Sequence, residues 1–238
     1  MVVAADRLVK RVAFFAFVRI FCLHGKGGGH TLGEMKFMVR MFVLTGAGFL
    51  MSAMTPGAVA QDIALPAPVK SGGMPLNEAL AKRETKRAFS DRELEPQALS
   101  NLLWAANGVT RPDGKRTAPT ARNLQELELI VLLRSGAYAY DAAAHKLVQV
   151  SKENLIPVAG GKAPVEILII GDKNKQPSAE YRSVDAGFIG QNIYLFCTSA
   201  GLSSVFRGSV DRSALEKKLS LGEDKVVTYS HSVGYPAE

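Results

Sequence analysis

Four stretches of the chain repeat apolar residues at helical spacing. In the first two, leucine and alanine recur three and four positions apart, and a proline lies near each start. The third is the longest and ends at Gly201, and the fourth begins at Asp211, whose carboxylate can cap a first turn. The pattern predicts helices over residues 75–86, 95–106, 179–200 and 211–219.

Other stretches have the patterns of strands. Residues 165–171 form an apolar run rich in isoleucine, interrupted only by Glu166, which is typical of a strand buried on both faces. Shorter runs predict strands over 127–133, 203–206 and 226–234, and a hairpin of 137–140 with 146–150. Helices come first and strands follow around a central meander, so the elements do not alternate as in a doubly wound sheet. The predicted fold class is α+β, one domain with a central sheet packed by helices.

Charge is unevenly distributed along the 238 residues. The formal net charge is +7, but residues 1–60 hold seven basic and two acidic residues, and residues 61–238 hold 22 and 20. The folded body is therefore close to neutral, with no obvious basic surface of the size that a nucleic acid needs. This excludes a nucleic-acid-binding surface as an expected function.

The first sixty residues have the pattern of a targeting segment. A basic start is followed by an apolar run over 41–54 and then by Ala58-Val59-Ala60, the small-residue ending of a secretory signal peptide. The alternative is a membrane anchor, but the run is shorter than the ~20 residues that span a bilayer. We expect a signal peptide over 35–60, a mature chain from Gln61, an exported and periplasmic location, and no stable membrane insertion after cleavage. Residues 1–34 are an unassigned upstream extension.

Few residues are candidates for catalysis or metal binding on the basis of residue type alone. Cys22 lies in the leader, so Cys197 would be the single cysteine of the mature chain, and its apolar surroundings predict a buried hydrophobe. His145 falls in a predicted hairpin turn and is expected to be solvent-exposed, whereas His231 on the last strand is expected to be structural. No cluster has metal-ligand spacing, so no metal is expected, and no residue is identified as catalytic.

Three donor-rich segments and the end of the chain carry candidate binding chemistry. Residues 82–89 (KRETKRAF) surround one threonine with four basic residues, and arginine forks match phosphate oxygens. Residues 116–125 (RTAPTARNLQ) form a polar loop whose carboxamides can pair with a flat heterocycle. Residues 201–208 (GLSSVFRG) end in Arg-Gly, where glycine allows a flat ligand to approach the backbone. The chain closes on Val-Gly-Tyr-Pro at 233–236.

In this order, these segments resemble the FMN-dependent nitroreductase family. The resemblance is closest to its short branch, which is related to dehydrogenases of thiazoline and oxazoline rings, and it covers about residues 66–236. Further motifs that carry it are SGGM at 71–74, LSNLLWAANG at 99–108, Gln191-Asn192 and Gly201-Leu202.

The resemblance implies a nitroreductase-like central sheet flanked by helices, a homodimer, and bound FMN. By position, Arg83, Thr85 and Arg87 match residues that hold the FMN phosphate and ribityl chain, and Asn123 matches the side chain that faces the flavin ring. Arg207 and Gly208 match the segment that passes the flavin N5 edge. Such sites lie across the dimer interface. The sequence departs from the family in having no basic pair after Pro236 and in placing Glu84 among the phosphate ligands, so Lys82 or Lys86 would have to compensate.

The implied activity is ping-pong hydride transfer through flavin N5 to or from a small nitro, quinone or heterocyclic substrate. An alternative is a flavin-binding or interaction protein without turnover. A third interpretation is a domain without flavin that binds a partner through an apolar face.

Overall fold

The computed structural model describes residues 61–237, all of which belong to one compact unit. The predicted upstream extension and signal peptide lie outside these residues. The helices are α1 (Leu76–Lys82), α2 (Pro96–Asn107), α3 (Ala179–Ser199) and α4 (Arg212–Lys218), with a 3-10 turn at Ala121–Asn123. The strands are β1 (Ile63–Ala64), β2 (Leu127–Leu133), β3 (Gly136–Asp141), β4 (Lys146–Ser151), β5 (Val165–Asp172), β6 (Ser203–Arg207) and β7 (Lys225–Gly234).

The seven strands form one sheet in the order β1-β4-β3-β2-β5-β7-β6, and every neighbouring pair is antiparallel. Strand β5 lies inside the sheet between β2 and β7, and residues 165–171 are all buried, which confirms the interpretation of the isoleucine-rich run. The α+β fold is confirmed. Strand β6 is an edge strand, so one row of its backbone groups faces away from the sheet.

The two faces of the sheet carry separate cores, because side chains alternate along a strand. On one face, Val131, Ile167 and Ile169 pack with the apolar sides of α2 and α3. On the other face, Leu132, Leu168 and Ile170 pack with α4 and with residues 155–159. Cys197 is buried with the first core, and burial raises the pKa of its thiol to about 12, which confirms its role as a small hydrophobe.

The first helix ends earlier than its pattern predicts. Helix α1 stops at Lys82, and Arg83 adopts φ −58° and ψ 120°, which is not helical. The following residues lie instead against β6, where the Lys86 N–H donates to the Ser204 carbonyl at 3.0 Å. The predicted helix over 75–86 is therefore wrong beyond Lys82, and Arg83 and Arg87 do not share a helical face.

His145 also differs from expectation, since it is half-buried rather than exposed. Its Nε2 lies 2.8 Å from the Ser100 hydroxyl, and its Nδ1 lies 2.9 Å from the Tyr140 hydroxyl. Ser100 donates its own hydrogen to the Pro66 carbonyl at 2.6 Å, so the imidazole donates to Ser100 and accepts from Tyr140. The segment after β1 is thereby tied to α2 and to the β3–β4 hairpin.

Within residues 61–237, no helix is long and apolar enough to cross a membrane. The same residues contain no group of three or more histidine, cysteine or acidic side chains able to hold a metal ion.

Candidate functional site

The basic segment after α1 is organised around Tyr194 of α3. The Thr85 and Tyr194 hydroxyls are hydrogen-bonded at 3.0 Å, and the Arg83 guanidinium lies 5.4 Å from the centre of the Tyr194 ring. Arg83 is half-buried, whereas Thr85 and Arg87 are exposed. In the part of the chain that the structure describes, neither arginine is paired with a carboxylate. Two guanidinium groups and a hydroxyl therefore remain able to bind an anion.

Tyr194 reaches this position because α3 packs closely on β6. Gly190, one turn earlier, faces the Phe206 ring, and a Cβ at Gly190 would lie 2.7 Å from that ring. The Tyr194 hydroxyl accepts the outward-facing N–H of Phe206 at 2.9 Å, so it occupies a backbone donor of the sheet edge. One hydroxyl therefore connects the edge strand, the long helix and the basic segment.

Lys82, Glu84 and Lys86, which alternate with Arg83, Thr85 and Arg87 along the chain, have different neighbours. Lys82, Glu84 and Lys86 line a groove of about 340 Å³ together with Thr198, Gly201 and Leu202 at the end of α3. Lys86 pairs with Glu84 at 2.8 Å and Lys82 with Glu78 at 2.6 Å. The Glu84 charge is thus balanced within its own segment, and both lysines that the sequence offered as phosphate ligands are already paired with carboxylates.

The loop over 120–125 presents Asn123 from a strained backbone. Arg122, Asn123 and Gln125 have positive φ angles of 56°, 55° and 48°, a conformation that side chains other than glycine adopt infrequently. Hydrogen bonds maintain it: the Ala121 N–H donates to Asp185 Oδ2 at 2.8 Å, the Gln125 N–H donates to the Thr120 hydroxyl at 3.0 Å, and the Asn123 N–H donates to the Thr120 carbonyl at 2.9 Å. Asn123 is exposed, with its carboxamide at the surface. Such strain persists only where surrounding contacts enforce it.

The Arg207 side chain is engaged inside the protein. Its Nη2 donates to Glu166 and to the Ala159 carbonyl, and its Nη1 donates to the Gly160 carbonyl, each at 2.9 Å. Glu166 is fully buried, so burial raises the pKa of its carboxyl, while hydrogen bonds from Ser232 and the Arg207 charge oppose that rise. At this position the backbone and the exposed Gly208, rather than the guanidinium, can meet a ligand.

The sequence-derived residues fall into two groups along α3. The first group lies beside Tyr194 and consists of Arg83, Thr85 and Phe206, the residue before Arg207. The second is the loop that carries Asn123, which is bonded to Asp185, nine residues earlier on the helix. At 1.5 Å per residue, these two anchors are about 13 Å apart along the helix axis. Sequence reasoning did not identify Asp185 or the Thr85–Tyr194 bond, since Thr85 and Tyr194 are 109 residues apart and no local pattern links them.

Comparison with known proteins gives consistent results. The nitroreductase family model matches residues 80–235. A crystal structure of a candidate nitroreductase from Ralstonia eutropha JMP134 is 34% identical, with a TM-score of 0.72, and covers 76% of this chain and 92% of that chain. A candidate nitroreductase of Methanocaldococcus jannaschii is 28% identical over 169 residues, which are 62% of this chain and 85% of the relative.

A more distant likeness extends to the Escherichia coli microcin synthetase complex. It has a TM-score of 0.58 and covers 98% of this chain and 95% of that chain. At 14% identity, this likeness shows a shared fold.

Proposed function

Because this chain belongs to the nitroreductase family, we propose that it is an FMN-dependent oxidoreductase that transfers hydride to or from a small organic molecule. The observation that carries the proposal is the Arg83–Thr85–Tyr194 cluster beside the edge of β6. The guanidinium group of Arg83, together with that of the nearby Arg87 and with the Thr85 hydroxyl, fits a phosphate-bearing ligand in charge and in hydrogen-bonding capacity.

In this proposal, each segment of the chain has a separate task. Arg83, Thr85 and Arg87 bind the phosphate and the ribityl chain, Asn123 hydrogen-bonds the ring, and the backbone of Arg207 and Gly208 lies along its edge. Bound FMN supplies the hydride chemistry, so the protein needs to bind and orient the reactants.

Reduction of a nitro or quinone group fits the chain better than oxidation of a ring, which requires a base. The described residues include two histidines, and neither fits that role. Burial lowers the pKa of His231 to about 3, and the His145 nitrogens are both hydrogen-bonded to Ser100 and Tyr140. The microcin synthetase likeness leaves heterocycle oxidation as a second candidate, at the level of the fold.

Purification and turnover assays test this proposal. The purified chain should be yellow and release FMN on denaturation, and once reduced it should be reoxidised by quinone or nitroaromatic acceptors. A yellow protein that no acceptor reoxidises would support a flavin-binding protein without turnover. A protein that stays colourless when incubated with FMN would overturn the proposal and favour a domain without flavin.

We further propose a homodimer in which both chains contribute to each site. Tyr181, Val184 and Phe188 are 55%, 50% and 43% exposed and recur at spacings of three and four along α3, so they form one apolar stripe. The expected mass by light scattering is that of two chains. Val184→Glu should shift it to one chain and weaken FMN binding, and a monomeric wild type that binds FMN would contradict the proposal.

Export is also proposed, from the signal-like pattern over residues 35–60. Mass spectrometry of the native protein should find Gln61 at the N-terminus. A membrane-embedded protein that retains residues 41–60 would defeat this proposal.

A further inference from the structure

Two buried carboxyl groups meet where the Asn123 loop joins α3. Glu126, just before β2, is fully buried, and Asp185 is 2% exposed. Asp185 accepts the Ala121 N–H, but neither carboxylate oxygen of Glu126 accepts a well-formed hydrogen bond from a donor in the described part of the chain. A buried carboxylate without a donor is costly, so this group needs an explanation.

The explanation is a proton, because two carboxylates cannot hydrogen-bond unless one of them is protonated. Glu126 lies within hydrogen-bonding reach of Asp185. Burial raises the pKa of Glu126 to about 7, and the hydrogen bond with Asp185 and its like charge add to that rise. The Glu126 backbone N–H and the Arg182 charge oppose it. Protonated Glu126 can donate to Asp185, which then accepts from Glu126 and from Ala121.

Most polar atoms of the other charged groups near this pair have partners, but the buried Arg182 Nε has none among the described residues. On α3, Arg182 Nη1 donates to the carbonyls of Gln176 and Pro177. At the end of β5, Asp172 accepts the N–H groups of Asn174 and Lys175, and the Lys175 ammonium lies 3.5 Å from the Gln125 carbonyl. On the loop side, Arg116 donates to the Gln125 side chain, and on β2 Glu128 pairs with Lys225.

We propose that Glu126 and Asp185 share one proton and act as a positioning pair, holding the 120–125 loop in the conformation that presents Asn123. The Ala121–Asp185 bond transmits the state of the pair to the loop. When Glu126 loses its proton to solvent, two negative charges face each other, the Glu126–Asp185 bond is lost, and the loop loosens. The effect on flavin binding rests on the proposed function, but the effect on the loop does not.

Hydrogen exchange of the loop amides tests the pair without any ligand. The protection factor of the Ala121 and Gln125 amides, corrected for intrinsic rates, should fall about tenfold between pH 6 and pH 8.5, because one charge-assisted hydrogen bond is lost. Glu126→Gln places a permanent donor beside Asp185, so protection should stay high at both pH values. The matched control is Glu128→Gln, which removes a carboxylate two residues away and should behave like wild type.

Asp185→Asn provides a second variant if Glu126→Gln does not fold. Its amide can donate to ionised Glu126, so the fall between pH 6 and pH 8.5 should again disappear. The proposal is overturned if wild-type protection is the same at both pH values, or if the fall persists in a folded Glu126→Gln or Asp185→Asn protein.

Riboflavin titration connects the loop to the site. Riboflavin is the suitable probe because the FMN phosphate itself titrates near pH 6. Wild-type affinity should fall several-fold from pH 6 to pH 8.5, while Glu126→Gln should show no fall. If wild type binds no flavin at any pH, the proposed function fails while the exchange result still decides the pair. If affinity is independent of pH while protection changes, the pair does not position Asn123 for the flavin.

Discussion

Replacing Tyr194 by phenylalanine removes one oxygen that makes two hydrogen bonds. That oxygen accepts the Phe206 N–H and bonds the Thr85 hydroxyl, at 2.9 and 3.0 Å. A net contribution of about 0.5–1.5 kcal/mol for each bond gives a stability loss of about 1–3 kcal/mol. For a protein of this size, the Tm should fall by roughly 2–12 °C.

The same change should weaken FMN binding. Without its hydroxyl partner, the Thr85 segment is no longer held in place, and ordering even one residue costs about 1–2 kcal/mol when the ligand binds. That cost corresponds to a loss of roughly five- to thirtyfold in affinity. The Arg83 guanidinium should remain over the ring, because phenylalanine keeps the aromatic face.

Thermal unfolding and fluorescence titration with FMN measure the two effects. Tyr181→Phe is the matched control, since Tyr181 lies on the same helix and the change keeps its ring, which is the part assigned to the apolar stripe. It should change neither the Tm nor the FMN affinity. Equal behaviour of the two variants would refute the assignment of Tyr194 as the residue that organises the phosphate segment.

Three further predictions concern other contacts. Arg83→Ala should weaken FMN binding ten- to a hundredfold, because a charge-assisted bond is worth about 1.5–3 kcal/mol. Its affinity for riboflavin, which has no phosphate, should fall far less. Equal losses of affinity for both ligands would show that Arg83 does not bind the phosphate. Burial lowers the pKa of His231 below its unfolded value, so the free energy of unfolding falls as pH drops below about 6.5, by about 2 kcal/mol at pH 5. In urea unfolding at pH 5 and pH 7.5, His231→Leu should lack this contribution. If the variant loses as much stability between the two pH values as the wild type, the loss does not come from His231. Ser100→Ala should cost about 1–2 kcal/mol in urea unfolding because it leaves His145 and the Pro66 carbonyl without their partner; a negligible change would show that this link does not stabilise the fold.

The strands could be predicted from the sequence because their pattern is local. The bounds of β2 match the prediction. The isoleucine-rich run is β5, and because both its faces are buried, its residues from 165 to 171 lack polar side chains apart from Glu166. The N-cap of α4 could also be predicted from the sequence, since the Asp211 carboxylate accepts the Ala214 N–H three residues later.

The remaining features depend on contacts between distant residues. The segment after Lys82 has a helical composition, but bonds to Ser204 and Tyr194 determine its conformation. The sequence around His145 predicts an exposed turn residue, but the fold brings Ser100 and Pro66 beside it and makes it half-buried. An acidic residue such as Glu126, just before a strand, has the pattern of a surface position, yet it is fully buried and lies near Asp185 and Arg182 of α3.

The covered edge of β6 has a consequence for solubility. An unpaired strand edge is a template on which other chains can add, and proteins avoid this by covering or shortening such edges. Here the Thr85 segment and the Tyr194 hydroxyl cover one end of the sheet, and β1 at the other end is two residues long. The residues that we assign to ligand binding therefore also protect the protein from edge-to-edge aggregation. Variants in this segment should be examined for self-association before a loss of activity is attributed to chemistry.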